Sequence, residues 1–148
     1  FKVPGDILYI GSILHDIGKI LVYAVMDPKL TVKIKEFVSA KGSNITIAEN
    51  LIQGYNHSLI GAKLAAKWGF PDELVEIIQN HHNPFEAKKE NQDLVILVYL
   101  ANILYYYKRN QFSFSDMNFS VLKKINKLKK EDWDQFAQDV YNKASENK

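Results

Sequence analysis

The sequence predicts an all-α fold, and three observations support this prediction. Apolar residues recur at helical spacing, whereas the strict alternation of apolar and polar residues that is typical of strands is absent. Glycines and prolines divide the chain into segments of helical length. Hydrophobic residues make up 47% of the 148 positions, which is enough to form a buried core. We therefore expect one helical domain over residues 1–148, with its motif-bearing core at 1–110 and further helices at 111–148.

The first elements are bounded by capping signals. Asp6 can cap a first helix over about residues 7–16, and Gly18 would end it. A short apolar stretch follows, and then a mixed segment that begins at Pro28 and is closed by Gly42. The chain enters its helical pattern almost at once, so we expect it to be a piece of a longer protein.

The later helices have similar start signals. Thr46 with Glu49 three residues later matches a capping box, and Asn56 can cap the next helix. Pro71 suits a first helical turn. These helices are expected at about residues 46–53, 57–68, 71–82, 94–107, 115–128 and 131–144. The segment 94–107 is apolar on nearly every side, which predicts a helix buried in the middle of the bundle.

Composition and charge argue against several classes of protein. The formal net charge of +2 is too small to indicate nucleic-acid binding, so none is expected. The absence of cysteine excludes a disulfide framework and a thiolate metal site, and it fits a reducing compartment such as the cytoplasm. The apolar run at 94–107 is shorter than the roughly 20 residues that a membrane-spanning helix needs, so no membrane contact is expected.

The four histidines fall at helix ends or on apolar helix faces. His15 lies on the apolar face of the first helix, and His81 continues the stripe of residues 74, 77 and 78. His57 opens a helix, and His82 follows His81 directly. A single buried histidine is more often a satisfied core residue than a ligand. Four such histidines are compatible with two interpretations. They form either a shared ligand site or a polar core without a ligand.

Two further polar residues can join these histidines. Asp16 follows His15, and Asn102 is the strongly polar side chain of an otherwise apolar helix, where an unpaired amide costs about 1–3 kcal/mol. Imidazole and carboxylate together suit a divalent ion of the Fe, Mn, Ni or Zn kind. Such an ion can lower the pKa of water enough for attack on phosphorus. The pocket is expected either to hold such an ion or to be retained without one.

Several motifs in order carry a family resemblance. Residues 14–19 read LHDIGK, which resembles the His-Asp signature of HD-superfamily phosphohydrolases. Further motifs have the order and spacing of the HDOD domain, the HD-related output domain of bacterial signalling proteins. They are Glu49, GYNH at 54–57, GAKLA at 61–65, WGFP at 68–71 and HHNP at 81–84. The resemblance covers about residues 8–105 and is to the C-terminal portion of that domain, which implies an HD-domain-like helical bundle.

The resemblance also implies roles for individual residues. The metal ligands that it implies are His15, Asp16, His57, His81 and His82, with Asn102 at a degenerate ligand position. Lys19 matches the lysine that can lie near the substrate phosphate in active relatives. Asp16 and Lys19 would thus be the catalytic residues if the domain is active.

Three functions remain open from the sequence. The superfamily usually has aspartate where Asn102 stands, and an amide carries no charge to offset an ion. This favours a regulatory, signal-transducing domain with little or no catalysis, which contacts other signalling proteins or domains. The intact LHDIGK motif instead favours a metal-dependent phosphohydrolase acting on a nucleotide or cyclic dinucleotide. The third interpretation is a helical interaction scaffold without any ligand.

Overall fold

The computed structural model describes residues 1–41 and 45–146, and it gives side-chain environments for residues 1–39 and 45–146. Helices account for most of this range, and no strand occurs in it. The predicted all-α class is therefore confirmed. The predicted closure at Gly42 lies outside the described residues.

The elements follow one another as helices joined by short connections. In the described part of the chain they are α1 (Gly5–Leu14), α2 (Ile17–Val25), α3 (Pro28–Lys41), α4 (Ile45–Gln53), α5 (His57–Lys67), α6 (Asp72–Asn80), a 3₁₀ turn (Pro84–Glu86), α7 (Gln92–Lys108), a second 3₁₀ turn (Phe114–Asp116), α8 (Phe119–Lys124) and α9 (Lys130–Glu146). The chain divides into two compact units, residues 1–101 and 102–148. The expectation of one domain with its core at 1–110 stays a prediction.

In the first unit, α5 packs between α2 and α6, α1 packs on α6, and α3 packs on α4. The α2–α5 contact depends on glycine at a close approach of two backbones. A Cβ atom at Gly18 would stand 1.9 Å from the carbonyl oxygen of His57 and 2.7 Å from the backbone nitrogen of Gly61. This approach brings the start of α5 next to the turn between α1 and α2.

Three of the predicted boundary signals are wrong. Asp6 does not cap the first helix, because it lies inside α1, whose N-terminal capping residue is Pro4. Gly18 does not end the first helix, because α1 ends at Leu14 and Gly18 lies inside α2. Thr46 does not cap α4, because it lies within that helix, and the Glu49 side chain bonds to His57 of α5 instead of to the start of its own helix. For Gly18 and Glu49, a tertiary contact with α5 explains the residue better than a local signal does.

Other signals act as expected. The Asn56 side chain accepts a hydrogen bond from the backbone N–H of Leu59 and caps α5. Gly69 follows that helix with a φ of +74°, a left-handed conformation that favours glycine.

The helix predicted at 115–128 is shorter than expected. A 3₁₀ turn occupies its start, and Asn118 caps α8 by accepting from two backbone N–H groups.

The second unit has a buried aromatic centre. Trp133 is fully buried, and its ring meets that of Tyr107 edge-to-face with 5.8 Å between the ring centroids. The Tyr141 hydroxyl donates to the carbonyl oxygen of Leu104 at 2.8 Å. These contacts join α9 to the C-terminal part of α7.

One stretch near the N-terminus has the length and hydropathy of a membrane-spanning segment. Residues Gly5–Val25 are long and apolar enough to cross a membrane, with a mean hydropathy of 1.4. The expectation that the chain does not contact a membrane stays a prediction. Core helices and signal sequences pass the same test, so this finding is weak support for a membrane span. The predicted cytoplasmic location stays a prediction.

Candidate metal centre

The ends of four helices bring the predicted polar residues together. His15 and Asp16 form the turn between α1 and α2, and His57 is the first residue of α5. His81 is the C-terminal capping residue of α6, and His82 follows it. The chain therefore supplies donors from separate segments of the first unit to one small volume.

Four of these side chains have the spacing of a metal site. One ligand atom from each of Asp16, His57, His81 and His82 lies within 4.8 Å of the others. His57 and His81 are fully buried, whereas Asp16 and His82 are partly buried. Three imidazoles with one carboxylate form a donor set that suits Fe, Mn, Ni or Zn.

Hydrogen bonds fix which nitrogen of each ring is available. Nδ1 of His57 lies 2.6 Å from the Glu49 carboxylate, and Nδ1 of His81 lies 2.9 Å from the carbonyl oxygen of Ile78. Nδ1 of His15 lies 2.7 Å from the carbonyl oxygen of Ser12. Because these oxygens can only accept, each Nδ1 carries a proton and donates. In a neutral ring, Nε2 then has a lone pair for a ligand.

The Nε2 atoms face one another inside the pocket. Nε2 of His57 lies 3.4 Å from Nε2 of His81 and 3.2 Å from Nε2 of His82. Two lone pairs at such distances repel each other unless a proton or a cation lies between them. The arrangement is therefore suited to a shared positive charge.

Asp16 supplies the negative charge. Its Oδ2 accepts from the Lys19 ammonium at 2.7 Å, and its Oδ1 lies 3.2 Å from Nε2 of His57 and 3.5 Å from Nε2 of His81. Burial alone would raise the pKa of this carboxyl, but His15, His57, His81 and Lys19 together lower it below the usual range. Asp16 is thus ionised at neutral pH and can bind a cation.

The buried histidines have different pKa values. Burial alone would lower the pKa of His57, but the nearby carboxylates of Asp16 and Glu49 raise it above the usual value. Burial lowers the pKa of His81, and it lowers that of His82 well below the usual value, with the nearby imidazoles adding to the effect. His81 and His82 are therefore neutral donors at neutral pH.

A buried carboxylate lies behind His57. Glu49 on α4 has no exposed surface, and its Oε2 accepts from both the backbone N–H and Nδ1 of His57. Its Oε1 accepts from the Tyr23 hydroxyl at 2.9 Å. Burial alone would raise the pKa of Glu49, but His57 and Tyr23 lower it below the usual value. Glu49 is thus a charged group that orients one imidazole.

Two polar atoms of the pocket support its fit to a metal ion. Nε2 of His15 and Oδ1 of Asp16 are buried without a hydrogen-bond partner. Buried polar atoms without partners are uncommon and point to a missing water or ion. Both atoms are chemically suitable ligands, so the residues present fit a divalent ion.

The comparisons with known proteins agree with this geometry. A family model described as the HDOD domain matches residues 2–84, which is more than half of the chain. The chain belongs to the HDOD domain family. The residues that match the HDOD model lie in the N-terminal part of the chain. The match ends at residue 84, earlier than the boundary near residue 105 that the motifs indicated.

One relative of the chain is an uncharacterized protein of Treponema pallidum (strain Nichols). It is 28% identical over 95 residues, which cover 64% of this chain and 18% of that protein. The chain therefore spans less than a fifth of the length of this relative. No solved structure matches the HDOD chain significantly.

The structure gives each predicted HDOD site residue a place. His57, His81, His82 and Asp16 meet as expected, and Nε2 of His15 lies 3.3 Å from Asp16 at the edge of the same pocket. The metal-ligand roles of these five residues and the catalytic roles of Asp16 and Lys19 stay predictions. Asn102 is half-buried and belongs to the second unit, so its predicted place in the site also stays a prediction.

The sequence reading missed the role of two residues around the HDOD pocket. Glu49 was read as part of a capping box, although it is the one acidic residue of the apolar segment ITIAENLIQ. Tyr23 on α2 was not singled out. A lone acid in an apolar helix was a usable signal, because burial of a charge requires a partner.

Proposed function

We propose that this chain is a regulatory HDOD domain whose histidine–aspartate pocket binds a divalent transition-metal ion with little or no turnover. The observation that carries the proposal is the convergence of Asp16, His57, His81 and His82 within 4.8 Å. The tautomers set by Glu49 and by the Ile78 carbonyl add to this support, because they leave Nε2 available on His57 and His81.

A regulatory role rests on two further supports. Asn102 replaces the aspartate that the superfamily usually has, and an amide is a weak ligand and no base. The alignment to 18% of a longer bacterial protein fits a module within a larger signalling protein. On this proposal the domain acts in the cytoplasm and contacts other signalling proteins or domains, with neither a membrane nor a nucleic acid as partner.

Metal analysis tests the proposal. Protein purified without chelator is expected to contain Fe, Mn, Ni or Zn in stoichiometric amount, and metal-free protein is expected to bind Zn²⁺ or Mn²⁺ in calorimetric titration. Asp16→Asn should weaken binding at least about 10–100-fold, since loss of an outer-shell group alone has that effect. Asp72→Asn, an exposed change in the same unit, serves as the control. A folded wild-type protein that binds none of these ions would overturn the proposal.

One observation favours a phosphohydrolase as the second candidate. The Lys19 ammonium lies 2.7 Å from Asp16, next to the pocket, where it could steady the charge of a nucleotide or cyclic-dinucleotide phosphate. A bound divalent ion would supply Lewis acidity for such a reaction. Hydrolysis of a generic phosphodiester by the metal-loaded protein, lost in His15→Ala and in Lys19→Ala, would establish this function over the regulatory one.

A further inference from the structure

We propose that Glu49, held by Tyr23, is the positioning residue of the metal site, and that through it metal binding is coupled to the docking of helix α4. This inference rests on the proposed function, because it concerns which residue orients a histidine of the same pocket and how metal binding affects the docking of α4. Glu49 does not face the converging donors. It acts on them through the imidazole of His57.

The first step concerns the tautomer of His57. A carboxylate 2.6 Å from Nδ1 accepts its proton, so the lone pair of the neutral ring is on Nε2, which faces His81 and His82. A carboxylate behind a ligating imidazole also increases the basicity of the opposite nitrogen. Glu49 therefore fixes both the direction and the donor strength of His57.

The second step concerns how Glu49 itself is held. Its two oxygens accept three hydrogen bonds, from the Tyr23 hydroxyl and from the backbone N–H and Nδ1 of His57. Tyr23 lies on α2 and His57 on α5, so the carboxylate joins α4 to both helices. Burial of a carboxylate is costly and is offset here by these bonds.

The third step concerns coupling. A cation bound by His57 would withdraw electron density from the ring and would make Nδ1–H a stronger donor to Glu49. Metal binding should therefore strengthen the attachment of α4, and by linkage a well-docked α4 should raise the metal affinity by the same factor. The outer face of α4 exposes Ile47 (52%) and Leu51 (69%), so a change in its docking would alter an apolar surface.

Metal titrations of three variants test the positioning role. Glu49→Gln keeps the shape and one acceptor, and we expect its Zn²⁺ affinity to fall about 10-fold, with Glu49→Ala falling further, towards 100-fold. Tyr23→Phe should lower the affinity by a smaller factor. Matched controls are Glu90→Gln and Tyr9→Phe, which change exposed residues of the same unit and should keep the wild-type affinity.

A measurement on metal-free protein separates this inference from the proposed function. Nitrogen chemical shifts at pH 8 should show His57 with its proton on Nδ1 in the wild type and in Glu49→Gln, and a larger share of Nε2–H in Glu49→Ala. This result would support the positioning role even if no metal binds. An unchanged tautomer in folded Glu49→Ala would overturn it, as would a Zn²⁺ affinity of Glu49→Gln within twofold of the wild type.

Hydrogen exchange tests the coupling. Addition of saturating Zn²⁺ to the wild type should slow the exchange of α4 amides, and the effect should be smaller in Glu49→Gln by the same factor as the loss of affinity. Equal slowing in both proteins would overturn the coupling. If Glu49→Ala fails to fold, Glu49→Gln and Tyr23→Phe still decide the question.

Discussion

At the scale of the residue, the ring nitrogens of the pocket histidines determine what the site can do. Nδ1 of His57 and of His81 is occupied by a hydrogen bond, and Nε2 faces the other donors. Burial keeps His81 and His82 neutral, while Asp16 and Glu49 stabilise the protonated form of His57. His57 is therefore the candidate ligand at which protons would compete with a metal.

We predict that the Zn²⁺ affinity rises with pH through the neutral range. The pKa of His57 is raised above its usual value of 6.5, so below the raised value a proton must leave before the ion binds. The apparent affinity should fall by up to about tenfold for each pH unit below that pKa. Titrations from pH 6 to pH 8 check the sign, and an affinity that is flat over this range would contradict it.

A second prediction at this scale concerns Gly18. Gly18→Ala places a methyl group within 1.9 Å of the His57 carbonyl oxygen, and the backbones of α2 and α5 cannot both stay in place. We expect a loss of at least about 1–3 kcal/mol of unfolding free energy, measured by denaturant titration.

Gly5→Ala is the matched control for Gly18→Ala. A Cβ atom at Gly5 meets nothing within 4 Å, so this change should alter the free energy of unfolding by less than about 1 kcal/mol. Equal stability of the two variants would show that α2 and α5 do not approach as closely as described.

At the scale of the element, the pocket residues lie at the ends of helices rather than along their faces. The pocket is assembled from the α1–α2 turn, the start of α5 and the end of α6. Capping interactions that fix these ends therefore also fix the donors. Asn56, which caps α5, directly precedes the ligand His57.

We predict that Asn56→Ala costs roughly 1 kcal/mol of unfolding free energy, the usual effect of removing a helix cap. The metal affinity should also fall, because the first turn of α5 carries His57. Asn142→Ala, at an exposed position of α9, should stay within about 0.5 kcal/mol of the wild type. A chemical denaturation series compares the two variants.

At the scale of the whole molecule, a bound ion should stabilise the fold. An ion that binds the folded chain stabilises it by mass action, by about 2.7 kcal/mol at a concentration of 100 times Kd. We predict a higher melting temperature in the presence of Zn²⁺ or Mn²⁺, reversed by a chelator. Asp16→Asn should show a smaller rise in melting temperature at the same ion concentration, because its affinity is lower. A wild-type melting temperature that does not respond to metal would contradict this prediction.

Much of the fold could be read from the sequence. Glycine and proline signals and apolar spacing predicted an all-α chain, and the helices at 57–68 and 94–107 lie within about two residues of α5 and α7. The capping box at Thr46 and the helix end at Gly18 were wrong, because Glu49 and Gly18 each contact another helix, α5.

The sequence by itself determined the helical class, the family motifs and which side chains could be ligands, since these depend on residue type and local spacing. Only the tertiary structure decided which nitrogen of His57 faces the pocket and that Glu49 orients it across eight residues. The reason is physical. A tautomer is set by the partner of the opposite nitrogen, and that partner arrives from another helix.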